Sequence, residues 1–482
     1  MHPSAVAHRG LRAVEAAREA AGQAWTRSRD RGRASPDTVW TTLRGRSLLA
    51  TPVGCLDGPA VVRVTADAVS DFLSRAGIAH ATAQTQPPTI AVETASWAAV
   101  ADALERLALY AQQGDALAPL HRFRARRGAV RVFRPWATVD GDYLAGPDLG
   151  VDLVFGAAPD PVPDLGDIDA VFTWVDGADP AWRERKRRRL AAMGQAPLHD
   201  AAANDARFVQ IDELRYALLS IERFAPWIRR IHLVTDGQRP AWLAREFPHV
   251  KLVRHEDIFS DPTALPTFNS HAIESRLHHI PGLAERYLYF NDDFLLGRYT
   301  HPADYFAADG RPRVFLTGER IPDGVATLDD QPVVAAAKNN SAVLAEAAGS
   351  RATHKLKHAP YATLRSVAFE LEALVAERFA ETQRSPFRAP SDLSVASSLL
   401  AYYALATGRA VEGGIGHFYA DIASDELAWR LPHLLEHRNA DVICLNATSD
   451  VPDAAARRVR AWAERYFPPL LPPDRDPSPP HG

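Results

Sequence analysis

The sequence predicts an α/β protein built on a mostly parallel sheet with helices on both faces, joined to a smaller N-terminal α/β domain. Three observations predict it. From about residue 168 onward, apolar runs of strand length alternate with stretches of helical periodicity, and strands alternating with helices imply parallel pairing under covering helices. Several of these runs end in Asp or Asp-Gly. Upstream, a shorter mixture of strand and helix candidates is set apart by Pro159-Asp-Pro-Val-Pro163, where successive prolines favour extended chain and block helix.

In order along the chain, residues 10–30 are rich in Ala, Arg and Glu and are expected to be helical. Val61-Val-Arg-Val-Thr65 is a β-branched run, followed by a helical stretch at 66–76 and by Thr89-Ile-Ala-Val-Glu93. A helix is expected over 96–112, with Ala99, Leu104, Leu107 and Ala108 as its apolar positions, and strands at 129–133 and 151–155. No residue cluster in this part has catalytic character. The expected domains are 1–158 and 167–467, with a disordered tail dense in Pro, Asp and Ser at 468–482.

The second domain opens on Ala170-Val-Phe-Thr-Trp-Val175, which ends in Asp176-Gly177. Asp212 is expected to cap a helix with apolar Leu214, Leu218, Ile221 and Ala225, stopped near Pro226. Ile231-His-Leu-Val-Thr235 ends in Asp236-Gly237, Val250-Lys-Leu-Val253 follows, and Tyr287-Leu-Tyr-Phe290 ends in Asn291-Asp292-Asp293.

The chain has 482 residues, 46% of them hydrophobic, so a large core is available. A formal net charge of −4 argues against a protein whose main task is gripping nucleic acid or an anionic membrane. The basic run Arg183-Glu-Arg-Lys-Arg-Arg-Arg189 lacks interleaved aromatics and reads as an exposed helix face. Cys55 and Cys444 are far apart and in no CxxC arrangement, which fits a reducing compartment. The N-terminus has no apolar signal segment and no apolar run is long enough to span a bilayer. The expectation is a soluble cytoplasmic protein with no transmembrane segment, open to peripheral membrane association.

Ligands of open parallel sheets bind beyond the carboxyl ends of the strands. Asp176, Asp236 and Asp292/Asp293 stand at three such ends, where carboxylates can hold a divalent cation against a diphosphate. Asp-Gly after a strand serves equally as a plain turn. The adjacent charges of Asp292 and Asp293 repel unless something positive compensates them, and in extended chain only one would face the site. Ser270 and Glu274 share a helix face at a spacing of four residues, fit for one ligand or for a capped surface helix. His354-Lys-Leu-Lys-His-Ala-Pro-Tyr361 gathers two histidines and two lysines in a loop suited to phosphate binding and proton transfer, although lone histidines are commonly structural. Arg384 and Arg388 precede a helix expected from about Ser391/Asp392, carrying Leu399, Leu400, Tyr403 and Leu405. An arginine fork matches phosphate oxygens, and surface salt bridges are the competing use. No GxxxxGK[ST] loop, strand-following GxGxxG or HExxH is present.

Four blocks of the chain resemble the Stealth family, which includes bacterial capsular-polysaccharide phosphotransferases and the catalytic part of the animal lysosomal-enzyme N-acetylglucosamine-1-phosphotransferase. They are Ile168-Asp-Ala-Val-Phe-Thr-Trp-Val-Asp-Gly-Ala-Asp-Pro180; Asp212-Glu-Leu-Arg-Tyr216 through Phe268-Asn-Ser-His-Ala-Ile-Glu-Ser275 to Tyr289-Phe-Asn-Asp-Asp293; His358-Ala-Pro360 with Arg388 and residues 392–403; and, more weakly, Val442-Ile-Cys-Leu-Asn446. The resemblance covers about 167–450. It implies a nucleotide-sugar-binding core that transfers a hexose 1-phosphate, typically from a UDP-sugar, with release of the nucleoside monophosphate. It places functional residues at Ser270, Glu274, Asp293, His358 and Arg388.

The implied roles follow. Asp293, with Asp292, holds Mg2+ or Mn2+; Arg388 neutralises phosphate oxygens; His358 accepts the attacking proton. Ser270, Glu274, Asp176 and Asn291 bind substrate. The fourth block departs from the family, which often has Asp after Leu-Asn where this chain has Ala447, with Asp450 as the available substitute. The implied partners are a nucleotide-sugar donor and a saccharide or polysaccharide acceptor. A metal-dependent glycosyltransferase releasing UDP and a non-catalytic sugar-binding assembly factor are the alternative readings.

Overall fold

The computed structural model describes residues 38–467, apart from 44–45, 54–57, 84, 86, 93–94, 115, 126–127, 139, 142, 157–163, 195–211 and 448–450. The helix expected at 10–30, the proline cluster, the tail from 468 and Asp450 lie outside the described residues. The chain divides into two compact units. One holds the described residues before 163 with 428–439 and those from 461; the other holds those of 163–427 and 440–460.

In the first unit a six-stranded sheet has the spatial order His80–Ala83, Thr89–Val92, Val151–Phe155, Val130–Phe133, Tyr110–Gln113, Ala116–Pro119. Val61–Thr65 is not extended, because it lies inside the helix Gly58–Arg75. Val62, Ala66, Val69 and Leu73 are buried along one side of that helix, so the 3.6-residue period overrides the β-branched composition. The helix expected over 96–112 also divides. Its α-helical part is Trp97–Ala103, Ala108 takes a left-handed φ of 50°, and Tyr110–Gln113 pairs antiparallel with two strands. Sheet pairing there outweighs the helix propensity of Ala and Leu.

The second unit is built on β1 (Ile168–Thr173), α1 (Pro180–Ala192), α2 (Glu213–Phe224), β2 (Arg230–Thr235), β3 (Lys251–Arg254), α3 (Ser270–Glu274), β4 (Arg286–Phe290), β5 (Phe294–Leu296), α4 (Pro332–Ala348) and β6 (Tyr361–Leu364). After these come α5 (Arg365–Leu374), α6 (Ala376–Arg384), α7 (Leu400–Ala406), β7 (His417–Asp421) and β8 (Val442–Asn446). The central sheet has the order β3-β2-β1-β4-β6, parallel except for the last pair. β1 is buried over Ile168–Phe172, as expected for a central strand covered on both faces. A second, three-stranded sheet has the order β5-β8-β7.

Helix α2 forms as its apolar period predicts, with Leu214, Leu218 and Ile221 buried. Asp212 does not cap it: it sits at φ 70° with no capping hydrogen bond, and its carboxylate lies 3.3 Å from Arg460. The helix expected from Ser391/Asp392 begins later. A wide turn over Val395–Leu399 feeds α7, because the Asp392 carboxylate is engaged elsewhere. Helix α1 carries the basic run, and it is not a uniformly exposed face. Arg185 turns to Asp236 at 2.7 Å and Lys186 is buried.

Candidate active site

The strand order reverses between β1 and β4, the place where an open α/β sheet leaves a crevice beyond its strand ends. Tyr289 in β4 and Thr173 in β1 join hydroxyls across it at 3.1 Å. Beyond β4 the chain turns, with the Phe294 N–H donating to the Asn291 carbonyl at 3.2 Å. Asp292 and Asp293 therefore occupy the middle of a turn, and the expected alternation of their side chains in extended chain does not apply.

Asp293 is the focus. Burial and the neighbouring charge of Asp292 push its carboxyl up to about 7. The Cys444 thiol donates to Asp293 Oδ2 at 3.2 Å and stands 3.8 Å from His358 Nδ1. Sheet register explains the meeting: Cys444 of β8 lies opposite Phe294 of β5, one residue past Asp293. Burial and the Asp293 charge push the thiol well up. His358 sits in the turn before β6, between the rings of Phe294 and Tyr419 at 6.0 and 5.2 Å. His417 Nε2 donates to its carbonyl at 2.8 Å. Burial, then the nearby His417 and Lys355, hold the His358 imidazole down at about 4. It is therefore a neutral base at neutral pH.

The second half of the site is built around an arginine and its carboxylate neighbours. Arg388 Nη2 donates to Ser270 Oγ at 2.7 Å. Burial lowers its affinity for its proton, and the charges of Glu274 and Asp392 oppose that. Glu274 is buried and accepts from the Ser397 N–H and Oγ at 3.1 and 2.6 Å. Thus α3 is no surface helix, since His271, Ala272 and Glu274 are all buried. Asn269 caps it and donates to Asp392 Oδ2 at 2.8 Å, anchoring the segment that carries Arg388. Tyr361 joins the halves: its raised hydroxyl feels Glu274, Cys444 and Asp293 after burial, and its ring stacks on Tyr289.

The expected residues Ser270, Glu274, Asp293, His358 and Arg388 thus gather around the β1/β4 crevice, with Asn291 and Asp292 on its turn. Asp176 stands apart. It lines an open cleft of about 520 Å³ with Trp174, Gln238 and Trp242, and its Oδ1 accepts the Ala178 N–H at 2.8 Å. Asp236 is held by Arg185, and Gly237 at φ 75° completes a turn, so this Asp-Gly is a turn. Arg384 is exposed and 3.7 Å from Asp261, outside the site. Lys355 pairs with Glu319, and Lys357 donates to the Ile415 carbonyl. Cys444, Tyr289, Tyr361 and Ser397 were not singled out from sequence. A lone cysteine in an apolar run was the available signal for Cys444, and only register gives it meaning.

Asp292 and Asp293 suit a hard divalent cation. They offer oxygen ligands, and their mutual repulsion, visible in the raised Asp293 carboxyl, is what a cation relieves. No helix among the described residues is long and apolar enough to cross a membrane.

Three conserved regions of the Stealth protein family match this chain in order: region 1 at 166–194, region 2 at 207–314 and region 3 at 357–405. They take in every expected site residue, whereas 442–447 falls outside them. An exopolysaccharide phosphotransferase of Streptomyces coelicolor is 50% identical over 305 residues, 62% of this chain and 51% of its own length. One of Mycobacterium tuberculosis is 43% identical over 337 residues, 69% of this chain and 60% of its own. The chain thus spans about half to three fifths of these relatives. Among solved structures, a galactosyltransferase with donor and acceptor sugar analogues aligns at a TM-score of 0.32 and 13% identity, over 64% of this chain and 98% of its own, too loose a likeness to carry an assignment. The three regions, in sequence order and centred on one crevice, place this chain in the Stealth family.

Proposed function

We propose that this chain transfers a hexose 1-phosphate, with N-acetylhexosamine 1-phosphate as the first candidate, from a UDP-sugar to a carbohydrate hydroxyl in exopolysaccharide synthesis, releasing UMP. The observation that carries the reading is the pairing, in one crevice, of an arginine–serine contact backed by the buried Glu274 with an acidic turn and a neutral histidine. The names of the relatives support the same chemistry.

In this reading the acceptor oxygen attacks the β-phosphorus, the bond from that phosphorus to the α–β bridging oxygen breaks, and UMP leaves with that oxygen. His358 takes the hydroxyl proton. Arg388 faces the phosphoryl oxygens, where charge builds up, with Ser270 fixing its direction. Glu274, locked by Ser397, compensates Arg388 and orients it. Asp292 and Asp293 would hold a Mg2+ or Mn2+, which when bound screens the diphosphate charge. Asp176 and the cleft beside it would take the nucleoside end of the donor, and Asn291 a sugar hydroxyl.

The test incubates the full chain with UDP-N-acetylglucosamine, Mg2+ or Mn2+ and a panel of saccharide acceptors, beside an Asp293→Asn control. UMP from the wild type alone is the expected result. UDP in its place makes the chain a glycosyltransferase. Neither product from several nucleotide sugars that still bind would make it a binding factor.

A further inference from the structure

Among the described residues, two groups of side chains bring three metal-ligating atoms within 4.8 Å of one another: His278, His279 and Glu372, and Asp293, His358 and Cys444. They are not equivalent. In the first, both imidazoles sit at hydrogen-bond distance from one carboxylate oxygen, 2.8 and 2.7 Å, and Arg276 holds the other oxygen. That is a closed ion-pair network with a cation already in place.

The second has a different geometry. A tetrahedral Zn2+, with Zn–S near roughly 2.3 Å and Zn–N or Zn–O near about 2.1 Å, sets its ligand atoms about 3.6 Å apart. Here Asp293 Oδ2 and Cys444 Sγ are 3.2 Å apart, and Cys444 Sγ and His358 Nδ1 are 3.8 Å apart. The ligands come from three separate places, the turn after β4, the loop before β6 and strand β8, and the paired strands β5 and β8 fix two of them. Asp293 and His358 are each partly exposed, which gives an ion a way in and leaves a fourth position for water.

We propose that Asp293, His358 and Cys444 form a Zn2+-class site, distinct in its donors from the all-oxygen Mg2+ or Mn2+ site of Asp292 and Asp293, and that its occupation switches the enzyme off. A thiolate selects a soft cation over Mg2+. On binding, the Cys444 S–H bond breaks, the proton goes to solvent and an S–Zn bond forms. The imidazole lone pair is taken at the same moment, so His358 no longer accepts a proton and zinc inhibits. The inhibition rests on the transfer chemistry proposed above; the binding does not.

The experiment uses the full chain, reduced and stripped with a chelator, and adds Zn2+ alone against a chromophoric competitor, then Co2+ as a spectroscopic substitute. The site predicts one tight Zn2+ that depends on Cys444, and a near-ultraviolet thiolate-to-Co2+ band in the wild type. Cys444→Ser should weaken Zn2+ by at least roughly 100-fold, the upper end of the loss for merely removing an outer-sphere partner, and abolish the band. Mg2+, which shares only Asp293 with this site and is a poor partner for a thiolate, should compete only in large excess. In the transfer assay, each protein normalised to its own zinc-free rate, the variant should need correspondingly more Zn2+ for half inhibition. Equal Zn2+ affinity in wild type and variant, or no thiolate band in wild-type protein, would overturn the site; the band needs no variant, so a Cys444→Ser chain that does not fold leaves a decisive measurement. Zinc bound through Cys444 without inhibition overturns the switch. A chain that binds zinc this way but transfers no sugar phosphate overturns the function and keeps the site.

Discussion

Two aspartates at opposite ends of the same parallel sheet are treated in opposite ways. Asp169, near the start of β1, is fully buried and fully answered: Arg229 reaches both its oxygens at 2.9 and 2.7 Å, His232 lies at 3.2 Å, and the Ala284 N–H donates at 2.9 Å. Burial alone would raise its carboxyl, but the hydrogen bonds from His232, Arg229 and Ala284 hold it at about 2. Asp293, beyond the end of β4, is half-buried with a like charge beside it and a weak thiol donor, and desolvation and that charge raise it to about 7. One end of the sheet spends its charge on holding strands together. The other sets a raised carboxyl beside a like charge at the strand end where the proposed donor would bind, the kind of perturbed group that marks a candidate site.

The largest effect expected from that contrast is at Asp293. Asp293→Asn should lower turnover by about a thousandfold, the upper range for losing one preorganised charge contact. Its sign on stability is the reverse. A carboxyl raised from 3.8 to about 7 keeps its proton in the folded state longer than in the unfolded one, so stability falls as pH rises across that window. In chelator at pH 8 the variant should melt higher than the wild type, by on the order of 1–2 kcal/mol; a lower melting point would contradict the assignment. Asp169→Asn should do the opposite. It leaves Arg229 and His232 without their charge partner and should cost about 3–5 kcal/mol, read by denaturant melts, while the folded fraction keeps its specific activity. Asp169 is held low, so its contribution is present above pH 3.8 and is lost as pH falls towards 2.

A smaller effect belongs to Arg388. Arg388→Lys keeps the charge and loses the fork, so turnover should drop about a hundredfold with little change in melting temperature. Near-normal turnover would remove Arg388 from the mechanism. Smallest is Tyr289→Phe, which deletes the hydroxyl contact with Thr173 between the two strands that flank the crevice. It should cost about 1 kcal/mol of stability and leave turnover within a few-fold.

The parts of this fold carried by local signals were legible in the sequence. β1, β2 and β4 are apolar runs that end in polar turns, and both features survive in the structure. Ser270, Glu274, Asp293, His358 and Arg388 were reached partly through a resemblance, and the crevice gathers them. What stayed hidden depends on partners distant in sequence. Cys444 is an ordinary member of Val442-Ile-Cys-Leu-Asn446 until its pairing with Phe294 sets it on Asp293. Ser397 is one serine of several until the wide turn at 395–399 aims it at Glu274. Tertiary demand also defeated local readings: Asp212 turns to Arg460 in place of capping, and Tyr110–Gln113 joins a sheet in place of prolonging a helix.

The proposed transfer delivers phosphorus, and not sugar alone, to the acceptor. The most direct measurement follows the β-phosphorus: the full chain is given a UDP-sugar carrying 32P at that position, a saccharide acceptor and a divalent cation, and the label is located after turnover. Sugar-phosphate transfer should leave the label on the acceptor and release unlabelled UMP. Label remaining in released UDP, with unlabelled sugar on the acceptor, would contradict it.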